Sequence, residues 1–243
     1  SLYFRELNDG LWFIIGDQER FTPASMRKVP MLIAILKQSE RTPGLLGRKI
    51  AARLKRDHNA HQNIKPSQTL EPGGRYTVAD QLLRMVAYSD NNAFMLLSGV
   101  VDQRELDRVY ELLAVPNPSI SNENRYFDVQ TYASFLRILY NATYLTRELS
   151  DLALEILSRS EFTSGIVSGV PSNVAVAHKF GEHSEAGSDE KQLHDCGIVF
   201  YPRHPYLLCI MSKGTSFQYL DDTISAISRI IYSEVDSQHG NEH

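Results

Sequence analysis

In the stretch FTPASMRKVP, residues 21–30, a serine and a lysine stand three positions apart as Ser25 and Lys28. On a helix, positions i and i+3 share a face, so the hydroxyl and the amine come within reach of each other. A free hydroxyl is a weak nucleophile and a free lysine is charged; held together in a dry pocket, they become a nucleophile and its base. Two other groups carry compatible chemistry: Ser89-Asp90-Asn91 and Lys179-Phe180-Gly181. Each has an ordinary reading of its own. An isolated S-x-x-K is more often a helix N-cap followed by a solvated first-turn lysine, and S-D-N is a run of good capping residues. Lys179 on its own reads equally well as a strand residue with a wet ammonium.

The elements that must position these groups follow from periodicity and turn chemistry. Leu2–Leu7 and Leu11–Ile15 read as strands joined at Asn8-Asp9-Gly10, because Asp-Gly between β-rich runs signals a hairpin. From Ser25 the spacing turns helical, with Met31, Ile33, Ala34 and Leu36 on one broad face. Pro30 falls early in that helix, where the amide it lacks has no intrahelical partner anyway. Residues 54–76 are polar and turn-rich and read as an irregular connection. Thr77 then reads as the N-cap of a helix with Asp80 in its first turn and Leu82, Leu83, Met85 and Val86 as its apolar face. That helix leads into Tyr88-Ser89-Asp90-Asn91.

Further helices are expected over 91–101, 103–114, 129–141 and 147–159, with Asp128 capping the third of them. Val174–Phe180 reads as a strand carrying Lys179, and GEHSEAGSDEKQ (181–192) as an acidic loop. Cys196–Tyr201 and Tyr206–Met211 read as a hairpin, followed by a last helix with Leu220, Ile224, Ile227 and Ile231 at helical spacing. The outer strands share a sheet, with 1–24 and 171–243 as a sheet lobe, 25–170 as a helical lobe, and the site at their interface in one integrated unit. S-x-x-K thereby opens a helix, S-D-N falls between two helices and K-x-G lies on a strand.

Bulk properties bound the chemistry. With 243 residues and 42% hydrophobic content, the chain can bury a substantial core. A net charge of −4 gives no electrostatic reason to expect nucleic acid. The apolar runs MLIAIL (31–36) and YLLCIM (206–211) fall far short of the ~20 residues that span a bilayer. The chain starts at Ser1 with neither an initiator methionine nor a leader-like apolar region, so upstream sequence is expected to have been removed. Cys196 and Cys209 do not make a disulfide framework; on the two strands of a hairpin at diagonal positions they are expected as buried free thiols. His58 and His61 have no partner at ligand spacing and read as a solvated loop, while His178, His183 and His194 read as surface histidines beside the hairpin.

Taken together and in this order, S-x-x-K, S-D-N and K-x-G make the chain resemble the penicillin-recognising serine hydrolases, most closely the class A β-lactamase-like family. The resemblance covers nearly the whole chain, except for a first helix that the family carries ahead of the residue equivalent to Leu2. It implies an α+β, β-lactamase/D,D-peptidase-like fold, with an antiparallel sheet of about five strands flanked by helices and an all-helical lobe. It also implies a catalytic set of Ser25, Lys28, Ser89 and Lys179. Ser25 would be acylated, Lys28 would accept or relay its proton, and Ser89 would pass a proton to the leaving nitrogen. A lysine of ordinary pKa ~10.4 must fall by about 3 to be neutral near pH 7, worth roughly 4 kcal/mol; burial beside Lys179 acts in that direction.

Asn91, Gly181 and Glu182 would bind substrate. Asn91 would bond its side-chain amide, Gly181 would let it lie close along the strand, and the amides of Ser25 and Glu182 would form the oxyanion hole. The resemblance further implies that Asp90 would tie down its turn and that Lys179 would hold Ser89 and attract a substrate carboxylate.

Two departures matter. PNPSISNENRYFDVQ (116–130) lacks the family's E-x-x-L-N, so no glutamate is identifiable as activator of the deacylating water, Glu123 being the nearest acid. Phe180 stands where the family has Ser or Thr, and Leu193 where an arginine often helps, so carboxylate recognition should be weaker. The resemblance therefore implies an acyl-enzyme formed on a small β-lactam or a related cell-wall peptide amide, with slow deacylation. The alternative is a D,D-peptidase, penicillin-binding or sensor domain that stays acylated. It implies no metal and no organic cofactor, and a bacterial, extracytoplasmic protein of the kind tied to antibiotic resistance.

Overall fold

A computed structural model describes residues 1–114, 127–184 and 187–240. The chain divides into two compact units: Ser1–Ala24 with Arg125–Arg137 and Phe162–His243, and Ser25–Asn124 with Ile138–Glu161. Among the described residues, no helix is long and apolar enough to cross a membrane.

The first unit is built on a five-stranded antiparallel sheet. Its strands are β1 (Leu2–Glu6), β2 (Trp12–Ile15), β5 (Val176–Ser184), β6 (Lys191–Val199) and β7 (Tyr206–Gly214), in the order β2-β1-β7-β6-β5. The expected Asp9-Gly10 turn joins β1 to β2, with Gly10 at φ 78° supplying the left-handed residue. β5 and β6 are longer than their apolar cores suggested, because pairing continues from Lys179↔Cys196 through Glu182↔Leu193 to Ser184↔Lys191. Polar side chains do not prevent backbone pairing; they only erase the alternation by which a strand is recognised. The 23-residue α7 (Phe217–His239) packs on β6 and β7 through a face that includes the buried Leu220, Ile224 and Ser228.

The cysteines depart from expectation. β6 and β7 pair Cys196 directly opposite Cys209, and the two form a disulfide that is wholly buried. The diagonal offset inferred from the turn was wrong by register, and a direct cross-strand pair brings the thiols together. Two of the three hairpin histidines are also core residues rather than surface ones: His178 is 1% exposed and His194 fully buried, whereas His183 is half-buried.

The second unit is helical. A 3₁₀ turn, Ala24–Arg27, leads into α1 (Lys28–Arg41). Nine consecutive residues of α1, Lys28 to Leu36, are buried, so this helix is covered on all sides. Within the unit it packs against α2 (Val78–Ala87), α4 (Gln103–Glu111) and α6 (Arg147–Ser158). Thr77 caps α2 as expected, its hydroxyl accepting from Asp80 N at 3.0 Å. α3 (Asn91–Leu97) follows after three residues, while α5 (Val129–Tyr140), near its expected bounds and with Asp128 accepting from Thr131 N, belongs to the first unit up to Arg137. The segment read as irregular ends instead in β4 (Arg75–Thr77), paired with β3 (Lys49–Ala51). At three residues apiece, neither strand is long enough to show a period.

Candidate active site

Ser25 lies in the 3₁₀ turn and Lys28 is the first residue of α1. Side chains at i and i+3 eclipse in a 3₁₀ turn, so this spacing stacks the two more directly than an α-helix would. Lys28 Nζ is 3.0 Å from Ser25 Oγ, 3.0 Å from Ser89 Oγ and 2.7 Å from the Ser89 carbonyl oxygen. Lys28 is 2% exposed, Ser89 is buried and Ser25 is half-buried. A primary amine thus bridges two hydroxyls with little access for water. This arrangement lets a proton leave one oxygen and arrive at the other through a single nitrogen.

The turn carrying Ser89 is held from a distance in sequence. Asp90 caps α3 by accepting from Asn92 N at 2.8 Å, and the same Oδ1 accepts from Asn59 Nδ2 and the Thr69 hydroxyl. Its Oδ2 accepts from Leu70 N at 2.9 Å. Asp90 is therefore a structural anchor, fully buried and bonded by the 59–70 loop. Asn59 closes the arrangement by accepting from Asn91 N at 2.7 Å, and Gln62 Nε2 donates to the Ser89 carbonyl at 2.9 Å. Asn91 Nδ2 donates to the His58 carbonyl at 3.2 Å. Sequence reading missed Asn59, Gln62 and Thr69. Their signal was a concentration of amides and hydroxyls in RDHNAHQN and its continuation, but a polar loop looks the same whether it faces water or a buried carboxylate.

Ser89 adopts φ 57°, and Ala24, just before Ser25, adopts φ 46°. Left-handed backbone at a residue with a Cβ costs on the order of 1–3 kcal/mol, and such residues collect where side-chain placement outweighs backbone comfort.

Lys179, Gly181 and Glu182 lie on β5 in the sheet unit. Lys179 is fully buried, with Nζ 4.1 Å from the centre of the Phe180 ring. That ring in turn stacks on Phe162 at 4.3 Å. The Phe180 ring, standing where the resemblance implies a hydroxyl, thus lies within cation–π distance of the Lys179 amine. Between β5 and β6, His178 Nδ1 and Asp195 Oδ1 are 2.8 Å apart, and Asp195 Oδ2 accepts from Ile166 N at 3.0 Å. His194 Nε2 lies 3.1 Å from the Thr22 carbonyl, which can only accept, so this nitrogen carries the proton. Burial pushes the His194 pKa down to about 4. Glu123 lies outside the described residues.

Several solved structures share this fold. PBP-A is 21% identical, with a TM-score of 0.78 over 97% of this chain and 89% of that one. A β-lactamase from Chitinophaga pinensis DSM 2588 is 19% identical, with a TM-score of 0.81 over 96% and 93%. TLA-3 extended-spectrum β-lactamase is 14% identical, with a TM-score of 0.81 over 96% and 92%. No curated protein matches the chain. At these identities the likeness carries the fold, an α+β β-lactamase-like architecture. A family model described as "Beta-lactamase enzyme family" matches residues 1–235, and the chain belongs to that family, with the class A β-lactamase-like fold of a serine hydrolase.

Proposed function

We propose that Ser25 attacks the carbonyl carbon of a β-lactam, or of a related amide such as a D-alanyl cell-wall peptide, and is acylated by it. The observation that carries this reading is the Lys28 amine at 3.0 Å from both the Ser25 and Ser89 hydroxyls. With Lys28 neutral, its lone pair takes the Ser25 proton as the Oγ–carbon bond forms. Ser89 gives its proton to the leaving nitrogen as the carbon–nitrogen bond breaks, and regains one from Lys28. Water then hydrolyses the Ser25 ester and restores the enzyme. We assign Asn91 to a substrate amide, Lys179 to a substrate carboxylate and Gly181 to close backbone approach. The Ser25 and Glu182 amides are assigned to the oxyanion, where loss of one donor costs about 3 kcal/mol.

A second reading, acylation without efficient turnover in a D,D-peptidase, penicillin-binding or sensor domain, is supported by the absence of E-x-x-L-N from 116–130. A point mutant of PBP-A, 20% identical to this chain, has been solved as an acyl-enzyme complex with penicillin G. Extracytoplasmic residence in a bacterium is part of the same proposal and draws support from the buried disulfide, a bond that persists in oxidising compartments.

Intact-protein mass spectrometry over time after mixing with a penicillin and a chromogenic cephalosporin tests both readings. A transient adduct with continuing colour change is expected for an enzyme, and a stable adduct for the second reading. Ser25→Ala should abolish the adduct in either case; labelling that survives it would remove Ser25 from the mechanism.

A further inference from the structure

Away from the serine–lysine cluster, and sharing no residue with it, the sheet unit gathers three metal-ligating side chains. Glu6 ends β1, His204 lies in the turn between β6 and β7, and His239 is the last residue of α7. One ligand atom from each lies within 4.8 Å of the other two. His204 Nδ1 is 3.3 Å from Glu6 Oε1, and His239 Nε2 is 3.1 Å from the same oxygen. The two imidazole rings stack at 3.6 Å between centroids and 12° between planes. Asp9 Oδ2, in the neighbouring β1–β2 turn, is 3.7 Å from His204 Nδ1.

We propose that Glu6, His204 and His239 form a binding site for a borderline divalent cation of the zinc class, with Asp9 or water as the fourth ligand. A tetrahedral ion with bonds of ~2.0–2.1 Å holds its ligand atoms about 3.3–3.4 Å apart. The two histidine-to-glutamate spacings fall close to that edge length. Without a cation, each neutral imidazole can donate an N–H to Glu6 Oε1; a bound cation would take the place of both protons, the stacked rings turning so that each in-plane lone pair meets it. One metal ion satisfies both nitrogens and the largely buried carboxylate together. Two imidazoles with a single carboxylate favour zinc, nickel or copper over magnesium or calcium, which prefer all-oxygen shells.

The surrounding hydrogen bonds tie together the three segments that carry the ligands before any ion arrives. Leu7 N donates to the Pro205 carbonyl at 3.0 Å, and Asn8 Nδ2 to the Arg203 carbonyl at 2.5 Å, tying the two turns together. The Tyr201 hydroxyl donates to Asp236 Oδ1 at 3.0 Å, fixing the end of α7 against the β6–β7 turn. With the three segments tied together, only the side-chain torsions of the two rings have to adjust on binding. The bound ion would fasten three chain segments at one point.

The test uses the full chain without a polyhistidine tag, stripped with a chelator and titrated with zinc sulfate at neutral pH by calorimetry. The wild type is compared with His204→Gln and His239→Gln. Expected are saturable binding of one equivalent to the wild type, affinity lower by more than ~10-fold in each variant, and a melting temperature raised by zinc only in the wild type. Circular dichroism confirms that each variant is folded, and replacing one histidine at a time provides two independent chances for a folded comparison. No saturable binding to the wild type, or undiminished binding to either folded variant, overturns the proposal.

Discussion

Lys28 and His194 are both buried basic groups, with different surroundings. Lys28 is surrounded by hydroxyl and carbonyl oxygens, so its buried amine has hydrogen bonds in either protonation state. For His194 desolvation outweighs the backbone hydrogen bonds to Thr22 and Leu193, and its pKa falls to about 4 from an ordinary ~6.5. Between these values the unfolded chain binds the proton that the folded chain refuses. The stability held by neutral His194 is therefore complete above pH ~6.5 and is lost as pH falls toward 4, by about 3 kcal/mol in all. Urea unfolding at pH 7 and at pH 4.5 should show this loss, and His194→Gln should reduce the difference between the two. An unchanged pH response in the variant would place the acid sensitivity elsewhere. Ser25 and Lys28 were legible from sequence because they are local to one turn. The burial of His194 was not, because it depends on the chain around Thr22 crossing a strand distant in sequence.

Among the elements, the join between β4 and α2 sets where Ser89 falls. Thr77 is both the last residue of β4 and the N-cap of α2, and α2 runs unbroken to the turn that presents Ser89. Thr77→Ala removes the bond to Asp80 N and should destabilise the chain by about 1 kcal/mol in urea unfolding. A loss indistinguishable from zero would mean that packing alone fixes the helix start. The cap and helices were legible because their signals are residue types at fixed offsets and a 3.6-residue period. The short pair β3–β4 and the polar ends of β5 and β6 were not, because those strands are specified by their partners.

For the molecule as a whole, the disulfide is the feature that depends on where the chain is made. It closes a separation of 13 residues, which corresponds to about 3 kcal/mol of stabilisation for a loop of that size. Cys196→Ser with Cys209→Ser should lower the unfolding midpoint accordingly. Chain produced under oxidising conditions should show no free thiol until unfolded in reductant. Equal stability of oxidised protein and double variant would contradict this account. The family-level architecture was legible from three motifs in order, because the three together are far more specific than any one of them alone. The disulfide was not, because one residue of register separates facing thiols from offset ones. The left-handed backbone at Ser89 has a consequence in evolutionary time: glycine at that position would relieve the strain at no steric cost. A lineage with no use for the hydroxyl would gain stability by losing it, so a serine kept at position 89 in descendants of this chain would be a record of continued selection for that hydroxyl.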